Sequence, residues 1–374
     1  RVTCIRDILF SAEEKESVIA EIADPETRVV SLTVTEKGYH LNPASGRLNT
    51  SGVALLGDLS GGTNTIYGLL TKGLRQRRDA GVGPIAVLSC DNLNSNGSKL
   101  GAALREFIDA SDPDLRHYID NSVAFPNCMV DRITPASTVA LVAEVGQRTG
   151  VPDKAPVATE EFSEWVIEDD FPSGRPAWET AGAVFTDDVA PFELRKLRLL
   201  NGAHSGLAYS GILAGHRYVH EAIEDPNLRA LATGIMAEAA ETLPPEIRDT
   251  AADYARPLIE RFANPHLNHE LRQIAMDGSL KLPIRLIATW QERAIKGLAS
   301  PAVETAIAAW IAFAWAETAE GRALRDPAAE EISAICRTAN SPTEAVQQLL
   351  DLLGVSSDLA GETNLASRIV GELN

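Results

Sequence analysis

One segment of this sequence concentrates acid–base chemistry. It runs Glu193-Leu-Arg-Lys-Leu-Arg-Leu-Leu-Asn-Gly-Ala-His204. Lys196 and His204 are eight residues apart. On a regular helix of about 100° per residue they lie about 80° from each other, and Asn201 lies within about 60° of His204. The three side chains can therefore line one side of a helix. A lysine that gives or takes a proton, beside an amide and an imidazole that hydrogen-bond, suits proton transfer to a polarised carbonyl. Arg195 and Arg198 flank the lysine. Nearby cations and apolar surroundings lower a lysine pKa toward neutrality. The bland reading of the same residues is a solvated lysine and a histidine satisfied in a helix.

Other polar clusters carry weaker signals. Asn92 and Asn96 follow the apolar run PIAVLSC, where turn chemistry alone also accounts for asparagine. Asp131 and Arg132 follow FPNCMV, where a structural ion pair is the alternative. The stretch Asn264 to Lys281 holds His266, His269, Arg272 and Lys281. The two histidines are three apart, a spacing a metal can bridge, but no third ligand is evident, so no metal is expected. Arg272 and Lys281, with Arg285, can bind a carboxylate or hydroxyls. No G-x-G-x-x-G, P-loop, H-E-x-x-H or G-x-S-x-G motif occurs.

These residues need a scaffold. The chain has 374 residues, 45% hydrophobic and 23% charged, as in ordinary globular proteins. Its 34 Lys and Arg against 52 Asp and Glu leave a net charge of −18, which argues against nucleic acid and anionic membranes as partners. Cys4, Cys90, Cys128 and Cys336 have no metal or disulfide spacing and read as reduced cytoplasmic thiols. The most apolar run, Ala306 to Trp315, is too short to span a membrane and reads as a core helix.

In the first half, apolar β-branched runs at 28–35, 84–89 and 122–125 alternate with helical patterns at 12–23, 66–78 and 97–110. That order predicts a doubly wound parallel sheet, with functional residues beyond the carboxyl ends of its strands. Those ends carry Thr35-Glu36-Lys37-Gly38, Cys90-Asp91-Asn92 and Pro126-Asn127. The stretch 57–64, GDLSGGTN, reads as a loop. From Pro191 onward the pattern is helical, over 192–214, 226–241, 245–263, 266–277, 283–297, 301–318, 327–338, 342–353 and 364–373. An α/β domain over 1–190 and an all-helical domain over 191–374 are therefore expected.

Several segments together resemble the long-chain mannitol dehydrogenase family of polyol and sugar-acid oxidoreductases. They are SLTVTEKGY (31–39), SCDNLNSNG (89–97), FPNCMVDRITP (125–135), WVIEDDF (165–171), GRPAWE (174–179), DVAPFELRKLRLLNGAHSGLAYSG (188–211) and NPHLNHELRQIAMDGSLKLPIR (264–285). The spacing of Lys196, Asn201 and His204 resembles the family's catalytic signature. TVTEKGY, GRPAWETAGA and PFELRKLRLLNG look most like its fructuronate-reductase branch.

The resemblance implies a Rossmann-like domain and hydride transfer between a nicotinamide cofactor and a small sugar acid, D-fructuronate to D-mannonate. Mannitol and fructose are the alternative substrates. NAD is the expected cofactor, with NADP the other option. Lys196 would be the general acid–base, Asn92 and Asn201 would donate to the developing oxyanion, and His204 would fix the reacting oxygen. Arg272, Lys281 and Asn96 would bind substrate. Thr35, Glu36, Lys37, Asp91, Val130 and Asp131 would lie on the cofactor side. Family members begin with a strand, a Gly-rich phosphate turn and an acid for the ribose. The resemblance here starts inside the sheet, so the Rossmann-like domain is expected to be incomplete at its N-terminus. A non-catalytic sugar-acid-binding relative is the second alternative. The oligomeric state, monomer or dimer, is left open.

Overall fold

The computed structural model describes residues 4–42, 45–135, 137–355 and 365–373. The chain divides into two compact units. The first comprises residues 1–131 and 163–190, the second residues 132–162 and 191–374. The sequence pattern put a single boundary near 190, so the segment 132–162 is the difference. Glu160 explains it. Its buried carboxylate accepts from the Ile133 backbone N–H at 2.6 Å and pairs with Arg261 of the helical part at 2.8 Å.

The first unit is built on three parallel strands in the order β1 (Val29–Leu32), β2 (Ile85–Ser89), β3 (Val123–Ala124). All five residues of β2 are buried, as expected of an apolar strand covered on both faces. The helices Ile66–Asp79 and Asn96–Ser111 bury Tyr67, Leu70, Leu74, Leu100, Leu104 and Phe107 in the same core as Ile85 and Val87. The expected strands and the helices among them are found within a few residues of their predicted bounds.

Two features of this unit differ from the sequence reading. The stretch 57–64 is not all loop, because the helix Val53–Leu59 runs into it. Asp58 there is buried and accepts from the backbone N–H groups of Asn64 and Thr65, both at 2.7 Å, tying the turn to the next helix. A second sheet was also unread: β4 (Cys128–Asp131) runs antiparallel to β5 (Glu164–Glu168), which is parallel to β6 (Val184–Thr186). These strands of three to five residues carry too little alternation for a period-2 signal.

The second unit is helical. Its central helix, Pro301–Ala319, buries Ala306 to Ile311 and packs against Gly202–Leu213. Among the described residues no helix is long and apolar enough to cross a membrane. The predicted helix over 245–263 is two helices, Pro245–Arg248 and Ala251–Phe262. The predicted helix over 266–277 is mostly turn, with only Leu271–Ile274 helical, because Asn268 and Asp277 take left-handed φ of 42° and 58°. The helix Val219–Glu224 was not anticipated.

The most consequential departure lies where regular helices were expected over 192–214 and 283–297. The first is α-helix over Ala190–Arg195, π-helix over Lys196–Asn201, and α-helix again over Gly202–Leu213. The second contains a π stretch at Pro283–Ile287 between Gly278–Leu282 and Ala288–Ile295. Such wide turns within helices are rare and concentrate at functional sites.

Candidate active site

In the second unit the two π stretches pack against each other. Gly202, directly after the first, is where the backbones approach: a Cβ there would sit 3.2 Å from the Arg285 carbonyl oxygen. Lys196 opens the π stretch, Asn201 closes it and His204 follows within the first α turn. A π turn closes i→i+5 hydrogen bonds, so each residue advances less than on an α-helix. The angles calculated for a regular helix therefore do not hold, although the three residues do share one continuous helical element.

Lys196 and His204 are both buried, at 9% and 6% exposure, and Asn201 is half-buried. The flanking cations are engaged. Arg198 donates to Glu292 and to the Thr242 carbonyl at 3.1 Å. Arg195 stacks over the Tyr254 ring at 4.2 Å. The His204 ring stacks on Phe262 at 4.3 Å between centroids and meets the edge of His269 at 5.5 Å. Burial, with help from His269, Arg285 and Arg261, holds the His204 pKa well below its ordinary 6.5. The imidazole is thus uncharged near neutrality. Arg285, on the second π stretch, donates to Ser205 Oγ at 3.2 Å. Arg261 forms a two-point pair with Glu160 and lies 4.1 Å from the Phe162 ring.

The other two cations picked out by spacing have different surroundings. Arg272 donates to Glu317 at 2.9 and 3.2 Å, in a cavity of about 390 Å³ that Arg322, Trp310 and Phe313 also line. Lys281 Nζ donates to the Met276 carbonyl at 2.6 Å and lies 3.7 Å from Asp277, bracing the left-handed turn there. His266 is exposed while His269 is half-buried. Among the described residues no group of three His, Cys, Asp or Glu is arranged for a metal.

In the first unit, the carboxyl ends of β1 and β2 carry the predicted polar turns. Thr35, Glu36 and Lys37 form a short exposed helix opened by a left-handed Thr35, φ 62°. Asp91 holds that turn from below: its carboxylate accepts from the backbone N–H groups of Val34 and Thr35 at 3.0 and 2.8 Å, and from Tyr39 OH at 2.7 Å. Asn92 beside it is exposed. Val130 and Asp131 lie on β4, with Asp131 buried.

Asn96 corrects the sequence reading. It is fully buried, and its amide donates to the carbonyls of Asp91 and Cys128 at 3.0 and 2.8 Å. Its Oδ1 accepts from the backbone N–H groups of Cys128 and Gly97 at 2.9 and 2.8 Å. All four of its hydrogen-bonding positions are filled, so it ties β4 to the loop after β2 and has nothing left for a substrate. Gly97 next to it is required by the same close approach, since a Cβ would fall 2.3 Å from the Pro126 oxygen. Spacing had missed Phe262, Glu160 and Ser205 altogether, because their neighbours come from distant stretches of chain.

A parallel α/β unit with polar strand ends, followed by a helical unit holding a buried lysine and histidine, is the build of a two-domain dehydrogenase. Residues 1–180 match the model of the mannitol dehydrogenase Rossmann domain, and residues 188–374 match that of the mannitol dehydrogenase C-terminal domain. The D-mannonate oxidoreductase of Escherichia coli (strain K12) is 39% identical over 362 residues, 95% of this chain and 74% of that protein. A mannitol 2-dehydrogenase of Phaeosphaeria nodorum is 36% identical over 377 residues, covering 99% of this chain and 65% of that one. The structure of Pseudomonas fluorescens mannitol 2-dehydrogenase, a ternary complex with NAD and D-mannitol, aligns with a TM-score of 0.77 and 32% identity, covering 99% of this chain and 79% of that one. The chain belongs to the mannitol dehydrogenase family of oxidoreductases.

Proposed function

We propose that this chain is an NAD-dependent sugar-acid dehydrogenase that interconverts D-fructuronate and D-mannonate, with Lys196 as its general acid–base. The observation that carries this reading is a buried lysine at the start of a π-helical stretch, followed on the same element by Asn201 and an uncharged His204. The 39% identity to a D-mannonate oxidoreductase supports the choice of substrate.

NAD, when bound, supplies or accepts the hydride. The residues present suit a dinucleotide: exposed polar side chains stand at the carboxyl ends of two adjacent parallel strands, where doubly wound sheets take such ligands. Thr35, Glu36 and Lys37 would face it, with Asp91 shaping their turn and Val130 and Asp131 on its nicotinamide side. During reduction, Lys196 Nζ passes a proton to the carbonyl oxygen as the carbon gains the hydride. During oxidation, Nζ takes the proton from the hydroxyl. Asn201 donates to that oxygen while negative charge builds on it. His204, being neutral, contributes one donor and one acceptor to hold the oxygen in line. Arg272 and Lys281 take part only if they exchange their present partners for substrate. We place the reaction in the cytoplasm, a compartment that four cysteines without metal or disulfide spacing suit.

A second reading, fructose and mannitol as the pair, draws support from the relative solved with D-mannitol. Oxidation of NADH with D-fructuronate and with D-fructose separates the two. Faster turnover of the keto acid is expected. Faster turnover of fructose would establish the second reading. No turnover of either, with no NADH binding by titration, would overturn both and favour a non-catalytic relative.

A further inference from the structure

We propose that His269 is a second hydroxyl-binding residue of this site, acting beside His204 on the polyol chain of the substrate. The inference rests on the reading of Lys196, Asn201 and His204 as the reacting end.

Two buried nitrogens motivate it. His204 Nε2 and His269 Nδ1 are both shielded from solvent and have no hydrogen-bond partner among the described residues. Leaving a buried polar group unpaired costs about 1–3 kcal/mol. Two such groups on adjacent rings, 5.5 Å apart between centroids, call for a ligand or trapped water that serves them.

The surroundings select what that ligand is. Arg261 and Arg285 both act on His204, and burial lowers the pKa of both imidazoles. Glu160 engages Arg261, and Ser205 accepts from Arg285. A cation brought to the pair would meet those two guanidinium groups. Two neutral imidazoles each offer one donor and one acceptor. The complement of that pattern is a hydroxyl, which also donates once and accepts, whereas a carboxylate only accepts.

His269 is also held in place without use of its ring nitrogens. Its carbonyl accepts from Val219 N–H at 3.0 Å, Leu271 N–H donates to the Arg217 carbonyl at 3.0 Å, and Tyr218 and Glu270 form a β-bridge between the same two segments. The left-handed Asn268 turns the chain into this position. The backbone positions the ring, and the buried Nδ1 atom is left without a partner among the described residues.

Two variants test this. His269→Phe keeps an aromatic edge against His204 and removes the nitrogens. His269→Gln keeps a donor and an acceptor. With D-fructuronate and NADH, His269→Phe is expected to raise the keto-acid KM about three- to tenfold, with kcat and NADH affinity little changed. His269→Gln is expected to recover most of that loss. An unchanged KM in an active His269→Phe enzyme would overturn the inference. So would a parallel fall in kcat and melting temperature with no change in KM, which marks a purely structural ring. If the wild-type protein turns over no substrate, the preceding functional reading fails instead. D-mannonate binding to both proteins by calorimetry then decides: equal affinity overturns the role of His269, and weaker binding by the variant supports it.

Discussion

The two units bury polar side chains for different purposes. In the α/β unit, Asp58, Asp91 and Asn96 direct most of their hydrogen bonds at backbone N–H and carbonyl groups of loops. In the helical unit, several buried charges also face other side chains: Arg261 with Glu160, Arg198 with Glu292, Arg195 on Tyr254. The reason lies in the backbone. Loops at strand ends carry unpaired peptide groups that must be satisfied locally. Helices satisfy their own backbone, which leaves their side chains to pair, stack or react. The α/β unit therefore shapes surfaces, and the helical unit holds titratable groups.

Substitutions on either side of this contrast should behave differently. The largest effect is expected from Lys196→Ala, which should lower kcat by about 10²–10⁴-fold, the usual loss when an acid–base group is removed. Near-normal turnover, measured as NADH oxidation, would break the assignment of chemistry to the helical unit. Next, Glu160→Ala should destabilise that unit by about 3–5 kcal/mol in urea unfolding, because it takes the carboxylate away from the buried Arg261 guanidinium. A cost below about 1 kcal/mol would show that the pair is solvated, as exposed pairs are.

In the α/β unit, Asn96→Ala should cost about 3 kcal/mol, since several buried backbone groups lose their partner at once. Substrate KM should stay unchanged in whatever fraction folds. A raised KM at full stability would return Asn96 to the binding site. The smallest effect concerns pH. Folding favours neutral His204, whose pKa is depressed by burial. The unfolded chain binds a proton near its ordinary 6.5, so stability is full above that pH and falls below it, by up to about 1.4 kcal/mol per pH unit. Urea midpoints at pH 7.5 and 5.5 should show a smaller drop in His204→Phe than in the wild type. Equal drops would mean that His204 is accessible to protons in the folded protein.

Much of this was legible in residue order. The apolar run 84–89 reads as a buried strand, and β2 is one. Pro191 and Gly215 bracket the predicted helix that carries Lys196 and His204, and Gly215 takes the left-handed φ of 88° that suits a helix stop. Less legible were β4, β5 and β6, which are too short to show a period and draw their stability from one another. Asn96 looked like a ligand because an asparagine after a strand carries no mark of which groups it will meet. The stretch 266–277 looked helical because Asn268 and Asp277 break the helix through φ values that composition alone does not dictate.

The sequence by itself determined the α/β-then-helical order, the location of the polar strand ends and the stretch that carries Lys196, Asn201 and His204. Local propensity and hydrophobic period specify those features, since they depend on near neighbours along the chain. Tertiary structure alone decided the π stretches, the Phe262 and His269 rings around His204, the Glu160–Arg261 pair, and the partners that occupy Asn96, Arg272 and Lys281. Each of these depends on groups that are distant in the chain or on packing that forces a helix off its regular pitch. No spacing rule reaches that far.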